Sequence, residues 1–355
     1  MRTLINTLHG CLRASNAVAF VLMLTVLGSC SLINEDQSDC GKQAKIDYEL
    51  TLVTNITTEI ETQLGGLEDQ CIAEALRRHL GDIFTDYAHD VDLSFYDVQA
   101  DSARLHHEQH VMDASQQSYT INLPMRDYMH LVTANVQNNV LTTLQQDEYC
   151  HKAQLGQVGR TDTITSHQTG LFTARQPMSV KEGEDQSFKV RLYMANCAAA
   201  LVVDPRGHDL NRLQVYTTGF ASAFNVCDSS YVFAAKPPVI KSTPVPNDCG
   251  MQGCYCTVSF PSKEQPKTRV VINTVEPFEA QPGEVSLWQY CCYYTNEDGT
   301  LTETIFDIYT PLRAGQLKIL KVYIDENGIV RTNDPTVGVS VTLDWNEGGH
   351  HDVPL

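Results

Sequence analysis

Ser286-Leu287-Trp288-Gln289-Tyr290-Cys291-Cys292-Tyr293-Tyr294 runs into Asn296-Glu297-Asp298-Gly299, and the chain returns through Leu301-Thr302-Glu303-Thr304-Ile305-Phe306-Asp307-Ile308-Tyr309. Aromatic and β-branched residues fill both legs, as a pleated surface favours. Asp-Gly supplies the positive φ that a tight hairpin needs. The pattern recurs at Leu317–Ile324, which turns at Asp325-Glu326-Asn327-Gly328 and returns at Ile329-Val330. One more strand is expected at Val337 to Trp345. Two consecutive hairpins and a closing strand set the class as β.

Earlier segments agree. Ile46, Tyr48, Leu50 and Leu52 alternate with Asp47, Glu49 and Thr51, the mark of a half-buried strand. Further strands are expected at Val91–Phe95, Tyr119–Leu123 and Tyr128–Val136, with a turn at Pro124-Met125-Arg126-Asp127, and at Phe188–Tyr193 and Leu201–Val203. One helix is predicted over 67–85, with Ile72, Leu76, Leu80 and Ile83 on one stripe and Gly65-Gly66 barring its backward extension. Residues 137–170 read as loops with one short helix, and 235–268 as long loops. The fold class is therefore mostly β: two tandem antiparallel β-sandwich domains, with one helix inserted in the first. The charged break Lys181-Glu182-Gly183-Glu184-Asp185-Gln186 sets the boundary, giving domains at 44–184 and 185–355.

The amino terminus is of another kind. Ala17 to Leu27 is the one apolar run that could enter a membrane, and it is about half the ~20 residues of a spanning helix. Arg2 and Arg13 precede it and small residues follow, so 1–29 reads as a signal peptide. Leu27-Gly28-Ser29-Cys30 resembles the bacterial lipobox, which predicts cleavage between Ser29 and Cys30 and acylation of the Cys30 thiol. Residues 30–43 form an acidic tether. Its Asn34-Glu35-Asp36 resembles the short signal that sends Bacteroidetes lipoproteins to the outer face of the cell outer membrane. Cleavage leaves 326 of 355 residues, and because the leader carries two arginines and no acid, the net charge moves from −18 to −20. Such a surface repels phosphate backbones, which argues against a nucleic-acid partner.

Ten cysteines follow Cys30, three in the first half and seven in the second. An exported chain favours disulfides, of undetermined connectivity. Both counts are odd, so either a bridge joins the halves or thiols stay free.

No motif points to catalysis. In His106-His107-Glu108-Gln109-His110 the glutamate stands at the third position, against the zinc-protease spacing, and these are expected to be loop or edge-strand residues. Cys249, Cys254 and Cys256, with Cys291-Cys292, lack paired zinc-ligand spacing and read as disulfide partners. His350-His351-Asp352 reads as a polar tail. No metal, cofactor or small-molecule substrate is expected. Trp288, Tyr290 and Tyr294 share a strand face, which suits a sandwich core better than a sugar platform.

Four blocks, in order, carry a family resemblance: Cys30 with its acidic tether and Ser38-Asp39-Cys40; Val91–Asp97 with Tyr119–Pro124 and Tyr128–Ala134; Leu171-Phe172 leading into Ser179–Gly183 and Phe188–Tyr193; and Gly338–Trp345. The chain resembles the FimB-like fimbrial anchor lipoproteins of Bacteroidales. The helix and the surplus of cysteines depart from that pattern. The resemblance implies two transthyretin-like sandwiches and a fimbrium-base role: tethering a fimbrial shaft subunit to the outer membrane through the lipid on Cys30. Shaft subunits of that type join by strand exchange after a cut that follows an arginine. Here no arginine occurs from Cys30 to Ala75, so the first strand is expected to be retained. Contact then falls to the last strand, with Val337, Val339, Val341, Leu343 and Trp345 as candidate contact residues. The alternative is a surface adhesin or glycan-binding lipoprotein, including a fimbrial tip role.

Overall fold

A computed structural model describes residues 43–344 apart from 54–55, 66–69, 85–87, 100–102, 112–117, 138, 140, 158–162, 183–185, 251, 267, 272–273 and 278–284. Ser29, Cys30, the acidic tether up to residue 42, Trp345 and the His350-His351 tail lie outside the described residues, while Gln43, expected in the tether, opens the first strand.

The first half contains β1 (Gln43–Val53), α1 (Ile56–Gln63), α2 (Gln70–Ile83), β2 (Asp90–Asp97), β3 (Arg104–Val111), β4 (Ser118–Pro124), β5 (Asp127–Ala134), β6 (Thr142–Gln145), β7 (Gln154–Gln157), β8 (Thr163–Thr165), β9 (Phe172–Ser179) and β10 (Gln186–Met194). The second half contains β11 (Cys197–Asp204), β12 (Leu213–Thr218), β13 (Ala223–Asn225), β14 (Ser230–Val232), β15 (Val239–Lys241), β16 (Thr243–Pro244), β17 (Gly253–Ser259), β18 (Thr268–Val271), β19 (Thr274–Pro277), β20 (Trp288–Thr295), β21 (Leu301–Ile308), β22 (Leu317–Ile324), β23 (Val330–Thr332) and β24 (Val337–Asp344).

The chain is mostly β, and its sheets pack in sandwich-like layers. Sheet 1 has the order β3-β2-β5-β9-β10-β1-β4, sheet 2 β16-β17-β11-β22-β23, sheet 3 β24-β21-β20-β12-β15-β8 and sheet 4 β14-β13-β7-β6, with β18-β19 as a separate pair. Three apolar cores separate the layers. In the first, Ile46, Tyr48, Leu93 and Phe95 of sheet 1 meet Ile72, Leu76 and Leu80 of α2, which in turn meet Ala198, Ala200, Cys254 and Cys256 on one face of sheet 2. In the second, Ala199, Leu201 and Val203 on the opposite face of sheet 2 meet Trp288, Tyr290, Cys292 and Phe306 of sheet 3. In the third, Tyr96 and Leu131 pack with Leu155, Phe224 and Phe260. Because β11 is buried on both faces, it reads as the continuous apolar run Cys-Ala-Ala-Ala-Leu-Val-Val.

Both expected hairpins form. Gly299 and Gly328 have φ of +86° and +74° at the turns, and Asn296 N–H donates to Thr300 O as Asp325 N–H does to Ile329 O.

Several expectations need correction. Two α-helices, not one, occur among the described residues: α1 lies ahead of Gly65, and α2 spans part of the predicted 67–85. The sheets are not purely antiparallel, since β1–β10, β11–β22 and β8–β15 are parallel pairs. The expected boundary at 184 would cut sheet 1, because β10 pairs with β1 over eight residues and also with β9. Sheet 1 ends at Met194. Residues 137–170 hold β6, β7 and β8. Of these, β7 pairs with β13 and β8 with β15, so the two halves interleave. Within 235–268, β17 is a fully buried central strand.

Candidate functional site

The last strand, β24, reads Val-Gly-Val-Ser-Val-Thr-Leu-Asp. It pairs with β21 along all eight residues, without a bulge: Val337 faces Ile308, Val339 faces Phe306, Val341 faces Thr304 and Leu343 faces Thr302. Opposed residues of an antiparallel pair point to the same face. Thr302, Thr304, Phe306 and Ile308 are all buried, the last two in the second core. The apolar row of β24 therefore extends the inner face of sheet 3.

That row runs beyond its cover. Val337 packs on the second core, but Val339, Val341 and Leu343 are 44%, 38% and 50% exposed. Sheet 2 ends opposite with β23, a strand of three residues. The chain crosses from β23 to β24 over residues 333–336, so both edge strands lie at the same end of the sandwich. The result is an apolar ledge flanked by two open strand edges.

Exposed edges usually carry charge, proline, bulges or short length, which discourage pairing with other chains. The other edges here comply: β3 is rich in histidine and carries Arg104 and Glu108, β4 ends in Pro124, and β6, β8, β14, β16 and β23 are two to four residues long. β24 has no lysine, arginine or proline, and its single charge is Asp344 at the end. Of the described edges of sheets 1 to 4, it alone combines a long regular pairing with an apolar row left exposed, since the apolar row of β4, Ile121 and Leu123, is buried. The structure thus groups Val337, Val339, Val341 and Leu343 on one ledge.

The opposite end of the described chain is built differently. β1 is an interior strand, parallel to β10 on one side and antiparallel to β4 on the other, and β4 has no other partner. Ile46 and Tyr48 are buried. Loss of β1 would open the first core and detach β4.

The histidine cluster lies on edge strand β3. Glu108 accepts hydrogen bonds from His106 Nε2 (2.5 Å) and His110 Nε2 (2.8 Å). Burial opposes ionisation of Glu108, but the two histidine hydrogen bonds outweigh it and hold the carboxyl below its ordinary value. On the other face, His107 and Gln109 meet Asp92 at 2.7 and 2.8 Å. Among the described residues no group of three or more His, Cys, Asp or Glu side chains could hold a metal ion.

Two disulfides join the halves: Cys71–Cys249 and Cys150–Cys227. The expected disulfides of Cys254, Cys256, Cys291 and Cys292 do not form. These four and Cys197 are free thiols, all buried except the half-buried Cys291. Burial pushes the Cys254 thiol up to about 12, which makes it a poor nucleophile.

Trp288, Tyr290 and Tyr294 are buried core residues, as expected. A cleft of about 430 Å³ opens beside β22, lined by Gln63, Asp204, Arg206, Lys321, Tyr323 and Asp334. The Arg206 guanidinium lies 3.6 Å above the Tyr323 ring and covers that face.

Sequence comparisons return no matching family model and no matching curated protein. Solved structures match across most of the chain. A candidate polysaccharide-binding protein from Bacteroides thetaiotaomicron superposes with a TM-score of 0.50 at 8% identity, over 83% of this chain and 97% of its own. A candidate adhesin from Bacteroides ovatus gives 0.49 at 11%, over 84% and 96%. The fimbrial anchor protein Mfa2 from Porphyromonas gingivalis gives 0.44 at 9%, over 85% and 97%. At these identities the likeness is one of fold.

Proposed function

We propose that the chain is a surface lipoprotein of the fimbrial anchor or accessory type. Its acyl group on Cys30 holds it in the outer membrane, and β24 contacts a fimbrial shaft subunit. The observation that carries this reading is the uncovered apolar ledge of β24 beside an unprotected edge. A partner strand laid there gains backbone hydrogen bonds from one edge and side-chain burial from the ledge. Covering Val339, Val341 and Leu343 contributes roughly 0.5–1.5 kcal/mol each, given their partial exposure. The interior position of β1 favours its retention, which keeps the folded unit joined to its lipid. The role requires no catalytic chemistry. The sequence resemblance supplies the nature of the partner.

The test is deletion of residues 337–355 in the native host. The expected result is a folded lipoprotein at the cell surface, with fimbriae made but shed into the medium. Fimbriae retained at wild-type levels would overturn the reading. The glycan-binding alternative finds its aromatic row in the core and one ring of the polar cleft already covered.

A further inference from the structure

We infer that the Cys71–Cys249 disulfide is a mechanical bypass, which carries tension across the molecule without passing it through any strand of sheet 1 other than β1. The direction of pull rests on the anchor reading, with lipid ahead of β1 and load on β24. The bypass itself follows from topology.

Cys71 is the second residue of α2, and Cys249 lies in the loop ahead of β17. Their Cα atoms are 5.5 Å apart, while 178 residues separate them in sequence. A chain pulled from before Gln43 and after Asp344 has one shortest covalent route. It runs through β1 and α1 to Cys71, crosses the sulfurs, and continues from Cys249 through β17 to β24. Residues 72–248 hang off that route as a closed loop. The loop contains every strand of sheet 1 except β1, and all of sheet 4.

The second disulfide is nested inside the first. Cys150 and Cys227, 77 residues apart, both fall within the loop. Cys150–Cys227 therefore bears no end-to-end tension while Cys71–Cys249 is intact. One bridge carries load, and the other only tightens the part that is shielded. The shielded part includes the whole of sheet 4, so its strand pairing carries no tension along the chain when β1 gives way.

The experiment stretches single molecules of the full mature chain from the two termini in an optical trap. An extended chain spans about 3.3–3.6 Å per residue. The 178 steps along the chain from Cys71 to Cys249 then correspond to roughly 600 Å. Adding reductant to the same wild-type molecules should lengthen the fully stretched chain by that amount. Cys71→Ser with Cys249→Ser should gain roughly 340 Å without reductant, because Cys150–Cys227 still closes off 77 of the 178 steps, and should reach the long extension once reduced. Cys150→Ser with Cys227→Ser should leave the oxidised extension unchanged. Equal extension of wild-type molecules before and after reduction would overturn the bypass, as would a long oxidised extension in the Cys150/Cys227 variant. The wild-type comparison needs no variant to fold. A molecule that shows the bypass but fails to retain fimbriae would count against the anchor reading alone.

Discussion

The side-chain amide of Gln63 donates through Nε2 to the Leu317 carbonyl at 2.5 Å, and the same amide accepts through Oε1 from the Ile319 N–H at 2.8 Å. These are backbone groups that a neighbouring strand would otherwise take. β23 pairs only with Val322, Tyr323 and Ile324 of β22, so the last turn of α1 completes the edge that β23 leaves open. Gln63 thereby locks α1 to sheet 2.

Removing that amide orphans a partly buried N–H and C=O. Gln63→Ala should lose roughly 1–3 kcal/mol of unfolding free energy. Gln63→Glu should lose at least as much at neutral pH, because a carboxylate cannot donate to Leu317. Urea unfolding measures both, and a Glu variant as stable as wild type would show that the pairing contributes nothing.

Acid should destabilise the fold in a defined window. His130 is fully buried, stacked on Phe95 at 4.0 Å. Its Nδ1–H donates to Ser94 O at 3.0 Å, and its Nε2 lies 2.5 Å from the Tyr48 hydroxyl. His167 is likewise buried, with Nδ1 accepting from Asn196 Nδ2 at 2.9 Å. Burial pushes both imidazoles down from 6.5 to about 4. Between those values the unfolded chain takes up protons that the folded chain refuses. The stabilisation is complete above pH 6.5 and is lost as the pH falls towards 4, by on the order of 3 kcal/mol per histidine. Urea midpoints at pH 7.5, 5.5 and 4.5 should fall in that order. Substituting Gln for either histidine should flatten the trend, and an unchanged slope would place the acid sensitivity elsewhere.

What the sequence revealed follows from how locally each feature is encoded. The hairpins at 296–299 and 325–328 were legible because a glycine at positive φ leaves a mark within four residues. α1 was not: Ile56–Gln63 is polar and β-branched, and its attachment depends on Gln63 meeting β22 more than 250 residues away. β17 was hidden because burial on both faces erases alternation. The disulfides escaped because each spans a fold-level distance. For the candidate site, Val-x-Val-x-Val-x-Leu announced a strand with one apolar face. That the face stands uncovered is a consequence of β23 ending after three residues, which no local pattern states.

The interior position of β1 makes processing testable. Ile46, Tyr48 and Leu50 are buried in the first core, and no arginine lies between Cys30 and Arg77. Mass spectrometry of the surface protein should find a chain beginning at acylated Cys30. A start after Arg77 or Arg78 would mean that β1 is removed, and a Cys30→Ala chain that still partitions into membranes would remove the lipid from the account.

Val341 sits at the middle of the exposed ledge, opposite buried Thr304. Lysine there should change stability by no more than about 0.5 kcal/mol, since the site is already 38% exposed. The same lysine would place a charge under any strand laid on the ledge, which is how natural edges repel partners. Val341→Lys should therefore leave the urea midpoint near wild type while sharply reducing capture of the shaft subunit in a pull-down. Val339→Lys should behave alike, because it lies on the same face two residues away. Ser340→Lys projects from the opposite face and should retain capture. If all three bind equally, the ledge is not the contact; if only Ser340→Lys fails, the partner meets the outer face of β24 instead.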